Sequence, residues 1–199
     1  MKMTIKAQGL KAVAKQLEKD AKAARKVLTA TGNDMRRRVP GKVADEVRTV
    51  YNIKKSEVTP SGKNGKPKRK AGSVGVKGAT ISEVTITYTG RLLTPTHFSM
   101  TPKKPQPQGR GKRKRKPVTA EIKKGKRKSL GSSVFLGDNG AGQYIPFRRT
   151  SKKRYPIEAL RTLSLPQMVD NDAVSKRIEK DVNDLLETRL EHNMKRYMK

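Results

Sequence analysis

The sequence contains no cysteine and no tryptophan, and it has few aromatic residues and no long run of apolar residues. The absence of cysteine excludes a disulfide framework, a thiolate metal site and a cysteine nucleophile. Apolar runs of only a few residues exclude a membrane-spanning helix, and the start MKMTIKAQGLKAVAK lacks the apolar stretch of a signal peptide. We therefore expect a soluble protein whose core is aliphatic with a few aromatic rings.

Acidic residues are also scarce, with 17 Asp and Glu against 48 Lys and Arg and a formal charge of +31. The excess positive side chains repel one another, which disfavours a compact chain unless an anionic partner is nearby. Nucleic acid is the first candidate partner, and the acidic face of a neighbouring protein is the second. With 199 residues, of which 33% are apolar, the chain is long enough for one domain that carries long extended segments.

Groups suited to catalysis are sparse and scattered. His97 and His192 are far apart in sequence, so we expect polar or packing roles for them rather than metal ligation or proton transfer. The acids concentrate on the predicted terminal helices at the spacing of surface ion pairs. The glycine-rich segment 72–78 lacks the Lys-Ser/Thr ending of a phosphate loop. These observations predict no enzyme, no cofactor and no metal site.

Two helices are predicted near the start of the chain. From Gly9 the apolar residues recur at steps of three and four, and this pattern ends near Thr31-Gly32. Asn33 or Asp34 can cap a second helix that runs to Val50. We expect Pro40-Gly41 to kink or break that second helix.

The end of the chain predicts a long amphipathic helix with an N-cap at residues 170–172. Its apolar stripe needs a partner surface, either the chain's own sheet or a neighbouring subunit. The stripe consists of Val174, Ile178, Val182, Leu185, Leu186, Leu190, Met194 and Tyr197.

The middle of the chain predicts short strands. Alternation of apolar and polar residues indicates a strand at 81–88, and residues 91–93 could return as a second one. Segments 132–136 and 144–149 are joined by turn-forming residues and predict a further pair. The order of elements predicts an α+β domain over 1–199, with N-terminal helices and the C-terminal helix packed on a small antiparallel sheet.

Two basic segments interrupt these elements. We interpret residues 54–77 as a solvated basic loop and residues 101–128, where only 118–122 has strand character, as a long basic hairpin or arm. Aromatic residues do not interleave with the basic runs, so nucleic-acid contact would be to the backbone and unspecific in sequence. The candidate contacts to a partner or to DNA are Lys68, Arg69, Lys70, Arg110, Lys112, Arg113, Lys114, Arg115 and Lys116.

Residues 154–160, RYPIEAL, followed by SLPQM at 164–168, resemble the signature of the prophage minor tail protein Z family. Further pieces agree in order, including GRLL at 90–93 and the FRR strand end at 147–149. One departure is Thr162-Leu163, where such sequences often have Gly-Pro. The resemblance assigns an assembly motif to Arg154, Tyr155, Pro156, Ile157, Ser164, Pro166, Gln167 and Met168, whose Ser-x-Pro-Gln-Met turn opens the C-terminal helix.

The resemblance implies a structural protein of the tail neck in a long-tailed bacteriophage, made in the host cytoplasm and needed to join the tail to the head. It implies a homo-oligomeric ring, expected to be a hexamer, beside tail tube, tail terminator or head-tail connector proteins. It implies no catalysis and no membrane. The alternative class is a sequence-nonspecific nucleic-acid-binding protein of ribosomal or nucleoid type, which accounts for the charge but not for the motif.

Overall fold

A computed structural model describes residues 2–7, 21–59, 72–80, 83–106 and 116–198. Within these ranges the chain forms two long helices and three small antiparallel sheets of three strands each, which confirms the predicted α+β class. A 3-10 turn at Pro95–His97 lies between β3 and β4. The elements are β1 (Lys2–Ala7), α1 (Ala21–Val50), α2 (Lys55–Val58), β2 (Gly72–Thr80), β3 (Glu83–Gly90), β4 (Ser99–Thr101), β5 (Thr119–Lys123), β6 (Lys126–Ser129), β7 (Val134–Asp138), β8 (Tyr144–Arg149), β9 (Ile157–Ala159), α3 (Leu165–Val169) and α4 (Asp172–Tyr197).

Helix α1 is one continuous helix of 30 residues, so the predicted end at Thr31-Gly32 and a break at Pro40-Gly41 are wrong, while a kink at Pro40-Gly41 stays a prediction. The predicted start of the first helix at Gly9 lies outside the described residues. Glycine costs about 1 kcal/mol and proline about 3 kcal/mol relative to alanine inside a helix. Gly32 and Pro40 both lie on the buried face, where packing offsets these local costs. That face repeats at steps of three and four and comprises Ala24, Val27, Leu28, Thr31, Gly32, Met35, Val39, Pro40, Val43, Ala44 and Val47.

Helix α4 confirms the predicted C-terminal helix, and Asn171 is its N-cap residue. Val174, Ile178, Val182, Leu186 and Leu190 are buried, as the stripe predicts. Its main partner is α1, which the sequence did not predict, and it also contacts β1 of the first sheet, as the predicted packing on a sheet requires. Two helices that each present a continuous aliphatic face bury more apolar surface against each other than against a short strand edge.

The three sheets have simple orders. The first is β1-β3-β2, the second is β4-β5-β6 and the third is β7-β8-β9. Strand β3 confirms the strand predicted at 81–88, and the β7–β8 pair confirms the one predicted from 132–136 and 144–149. In the β7–β8 pair, Phe135 lies opposite Phe147, and their ring centroids are 6.2 Å apart.

Residues 91–93 do not form the predicted second strand. Leu92 makes a single bridge to Ser164, and the Leu93 N–H donates to the Leu163 carbonyl oxygen. The Thr162 N–H donates to the Leu93 carbonyl oxygen at 2.7 Å. The segment therefore pairs briefly with residues about 70 positions later, which local alternation does not reveal.

The two basic segments hold more regular structure than predicted. Segment 54–77 contains α2 and the start of β2, and residues 60–71 lie outside the described residues. In segment 101–128, β5 confirms the strand predicted at 118–122, and β6 follows it after a tight turn at Gly125, whose φ is 71°. Strand β5 also pairs with β4, so the second half of the predicted arm belongs to a sheet. Residues 107–115 lie outside the described residues.

The chain buries two separate apolar clusters. The main core joins α1, α4 and α3 with Tyr51, Tyr88, Leu93 and Phe98. The smaller cluster consists of Met100, Val118, Ala120 and Val134, with Leu130, Leu136 and Leu160 partly buried against it.

Polar groups inside the main core are few. The Asn193 side-chain N–H donates to the Thr31 hydroxyl at 3.1 Å, which links the two long helices in a buried position. The Tyr88 hydroxyl is buried and has no hydrogen-bond partner in the described part of the chain. Desolvation raises the pKa of Tyr88 well above its ordinary value.

Candidate interaction sites

The Ser164–Met168 half of the predicted motif forms a capping box. Ser164 is the N-cap of α3, and its hydroxyl accepts a hydrogen bond from the Gln167 backbone N–H at 3.4 Å. The Gln167 side-chain oxygen accepts from the Ser164 backbone N–H at 2.8 Å, and Pro166 lies in the first turn. These reciprocal bonds satisfy donors that a helix start otherwise leaves unpaired.

This capping box opens a short separate helix, so the expectation that the motif opens the C-terminal helix is corrected. Helix α3 ends at Val169, and α4 begins at Asp172. Leu165 and Met168 are fully buried in the main core. Helix α3 contacts β3, α1 and α4, so it connects the first sheet to the helix pair formed by α1 and α4.

The other half of the motif lies on the surface, in the loop between β8 and β9. Tyr155 is 63% exposed, and the Arg154 guanidinium lies over its ring at 5.8 Å from the centroid. The Pro156 carbonyl oxygen accepts bonds from the Thr150 backbone N–H and hydroxyl. The Arg154 carbonyl oxygen accepts a bond from the Arg149 side chain at 3.2 Å.

The motif is therefore split between two environments. Ile157 is half-buried in β9 and pairs with Arg149, whereas Ser164, Pro166 and Met168 are buried in or beside the main core. The structure does not bring the eight predicted residues into one turn. One half supports the fold, and the other half is displayed to solvent.

Of the nine predicted basic contact residues, the structure describes Lys116 alone. Its side chain is exposed, and its backbone N–H donates to the Gln106 side-chain oxygen at 2.9 Å. The other eight lie outside the described residues: Lys68, Arg69, Lys70, Arg110, Lys112, Arg113, Lys114 and Arg115.

A large open cleft, of about 1110 Å³, lies where α1 and its following segment meet the 3-10 turn, β4 and the β7–β8 turn. Among the described residues that line it, five are cationic and one, Glu57, is acidic. The Glu57 carboxylate lies within hydrogen-bond distance of His97 Nδ1, at 3.3 Å. We name this site the cationic cleft, after its five cations Arg48, Lys54, Arg91, Lys103 and Arg161.

The cationic cleft also presents apolar surface. Leu92 is 46% exposed and Tyr144 is 39% exposed, and both line the cleft. Phe98 and Met100, which are buried, and Ile145, which is half-buried, also line the cleft. The site therefore combines positive charge with aliphatic and aromatic side chains, which we call its apolar floor.

Sequence reasoning missed the cationic cleft because four distant stretches build it. Its lining comes from residues 48–57, 91–103, 139–147 and 161. Three of its cations, Arg48, Arg91 and Arg161, lie outside the two basic segments, and Lys54 and Lys103 lie near the starts of those segments. No local pattern marks them, because the sheets and the segment after α1 bring them together only in the folded chain.

The remaining titratable groups give no metal site in the described ranges. No group of three or more His, Cys, Asp or Glu residues is arranged there to hold a metal ion. His97 has the polar role expected of it, and His192 lies exposed on α4. No described helix is long and apolar enough to cross a membrane.

Comparison of the chain with protein families, with curated proteins and with solved structures finds no match. The features of the chain that bear on its function are therefore the motif at 154–168, the exposed loop around Tyr155 and the cationic cleft.

Proposed function

We propose that this chain is a structural assembly protein of a long-tailed bacteriophage, one that completes the tail neck so that the tail can join a filled head. The proposal starts from the resemblance of residues 154–168 to the minor tail protein Z family. The observation that supports it is the display of Tyr155, the most exposed of the large apolar side chains in the described part of the chain.

An exposed tyrosine under an arginine is a suitable anchor for a protein partner. Aromatic residues and arginine are enriched in the side chains that dominate binding energy at protein interfaces. The loop that presents Arg154 and Tyr155 is held by hydrogen bonds to Thr150 and Arg149. A surface held in this way loses less conformational entropy on binding, which favours assembly into a ring or onto a neighbouring ring.

The test is a phage carrying Tyr155→Ser, scored by electron microscopy for joined particles against separate heads and tails. We expect filled heads and free tails to accumulate, because the variant removes the exposed ring and leaves the buried half of the motif untouched. The control is Lys153→Ser, since Lys153 is exposed on the same loop. Normal joining by the Tyr155→Ser protein would contradict the proposal.

Ile157→Asp gives a second variant of the same motif, but Ile157 is half-buried in β9 and the change also perturbs the third sheet. Its effect on joining is informative only when the purified variant melts like the unchanged protein.

The second candidate function is nonspecific nucleic-acid binding, which the exposed charge favours. Strand β6 has all four side chains exposed, and Lys126, Arg127 and Lys128 are basic. The discriminating variant neutralises Arg113, Lys114, Arg115 and Lys116 together. In the nucleic-acid reading this variant carries the main phenotype through lost phosphate contacts, and Tyr155→Ser is silent. In the tail reading it weakens assembly in a salt-dependent way, and Tyr155→Ser blocks joining.

A further inference from the structure

We infer that the cationic cleft binds an extended acidic segment of a different protein, in which apolar side chains alternate with carboxylates. This inference rests on the geometry of the cleft and is independent of the tail assignment. It requires an anionic ligand, a ligand with apolar groups, and a ligand able to lie along a strand edge.

The ligand is anionic because four of the five cations of the cleft have no acidic partner in the described ranges, while Arg48 lies 4.0 Å from Asp45. Lys54, Arg91 and Lys103 make no salt bridge to any residue in the described ranges. Arg161 donates to the Leu92 carbonyl oxygen at 3.3 Å, which leaves its charge unpaired within the same ranges. Cations of one sign around a concave surface focus the electrostatic potential and attract anionic ligands.

The apolar floor favours a polypeptide over a nucleic acid. Leu92 is among the most exposed apolar groups of the cleft, and an aliphatic side chain offers a base no stacking face. Phe98 is buried, and Phe147 is half-buried against Phe135, so Tyr144 is the one ring at the described lining that is open to solvent. A bound phosphate backbone would leave these apolar side chains exposed to water, whereas the aliphatic side chains of a peptide would cover them.

The strand edge favours an extended peptide. Strand β4 stands at the edge of its sheet, and Ser99, Met100 and Thr101 all line the cleft. An extended segment can add to such an edge through main-chain hydrogen bonds, while side chains on alternate faces enter pockets. In that arrangement one face of the peptide carries the apolar side chains, and the other carries the carboxylates that can meet the cations of the cleft.

The occupant is a different protein rather than a second copy. Each copy carries a formal charge of +31, so a second copy offers few carboxylates to the cations of this cleft, whatever other surfaces join copies to each other. An acidic partner is instead drawn to the cleft, and its association is faster at low salt.

The experiment measures fluorescence anisotropy of a labelled peptide of ~12 residues, which spans ~40 Å when extended. The peptide alternates Glu with Leu and is added to the full chain. The cleft variant is Lys54→Gln with Lys103→Gln, and the matched control is Lys176→Gln with Lys180→Gln, exposed lysines on α4. The two variants have the same net charge. We expect about tenfold weaker binding for the cleft variant, from two lost charge contacts, and less than about twofold for the control.

A second pair of variants tests the apolar floor. Tyr144→Ser removes an exposed tyrosine of the cleft, and Tyr155→Ser removes an exposed tyrosine elsewhere. We expect Tyr144→Ser to weaken binding of the peptide several-fold. Tyr155→Ser should leave peptide binding unchanged, whatever its effect on the joining of heads and tails.

Four outcomes would overturn the inference. The first is no binding of the peptide by the unchanged protein, and the second is equal weakening of peptide binding by the two double-lysine variants. The third is binding of an oligothymidine of the same length that is tighter than peptide binding and is lost in the cleft variant. The fourth is self-association of the protein that the cleft variant abolishes. The third result would assign the cleft to nucleic acid, and the fourth would assign it to a second copy.

Discussion

The helix pair and the sheet region from β4 to β9 differ in how completely they bury their apolar side chains. Along α1 and α4, residue after residue on the facing surfaces has almost no exposure. In the sheet region the buried cluster has only four members, and β6 has every side chain exposed. Since burial of apolar area is the main favourable term in folding, the helix pair supplies most of the stability of the domain.

The sheet region holds the Tyr155 loop and contributes part of the lining of the cationic cleft. The Tyr155 loop joins β8 to β9, and the cationic cleft is lined by β4 and by the β7–β8 turn. Short strands with exposed side chains leave surface uncovered, which an interaction site needs and a core cannot provide. The comparison teaches that stability and recognition are separated along this chain, and changes in the two regions should have different effects.

The largest effect is expected from a charge placed inside the helix pair. Leu186→Asp puts a carboxylate among the buried aliphatic groups of the main core. We expect the free energy of unfolding to fall by more than ~3 kcal/mol, because a buried unpaired charge is not solvated. Urea unfolding measures the change, and Glu187→Gln on the exposed side of the same helix serves as control. Unchanged stability of Leu186→Asp would contradict the conclusion that the helix pair supplies most of the stability of the domain.

A matched pair of valines compares the two regions directly. Val182 in the helix pair is 1% exposed, and Val134 in the smaller cluster is 8% exposed. We expect Val182→Ala to cost about 2 kcal/mol, from lost transfer energy and the cavity left behind, and Val134→Ala to cost about half as much. Thermal and urea unfolding of both variants give the two values. Equal losses would show that the smaller cluster is packed as tightly as the main core.

The capping box tests the junction between the regions. Ser164→Ala removes the hydroxyl that accepts from the Gln167 N–H, and we expect a loss of about 1 kcal/mol. Gln167→Ala removes the reciprocal bond, and the double variant should cost less than the sum of the single ones because the two bonds act together. A double-mutant cycle in urea measures the coupling. Strict additivity would mean that the two side chains act independently.

The smallest effect at neutral pH is expected from Tyr88→Phe. The hydroxyl of Tyr88 has no partner in the described part of the chain, so its removal should leave stability at pH 7 unchanged or slightly higher. Burial raises the pKa of Tyr88, so the folded state keeps a proton that the unfolded state loses above a pH of about 10. Unfolding is therefore favoured as the pH rises through that value.

The Tyr88→Phe variant should lose less stability than the unchanged protein between pH 9 and pH 11, as measured by urea unfolding at each pH. Ordinary deprotonation of lysines affects both proteins alike, so the difference isolates the tyrosine. Identical alkaline profiles would show that Tyr88 ionises freely in the folded chain.

Local patterns in the sequence were sufficient for several elements. The stripe from Val174 to Tyr197 predicted α4, and alternation predicted β3, β5, β7 and β8 within a few residues. These signals succeed because a helix or strand with one buried face must repeat its apolar residues with the period of its backbone. The tail assignment and the ring stay predictions, since they rest on the motif at 154–168 and on the proposals drawn from it.

Other features depended on contacts between residues far apart in sequence. Gly32 and Pro40 are helix breakers by propensity, yet α1 continues through them because its face packs along α4. Propensities amount to a few kcal/mol at most, and a long packed interface outweighs them. Such contacts decide the partner of α4 and the division of the motif between core and surface. They also bring five cations from distant stretches into one cleft. Periodicity encodes which side of an element is buried, but which element covers it is decided by the free energy of the whole packed chain.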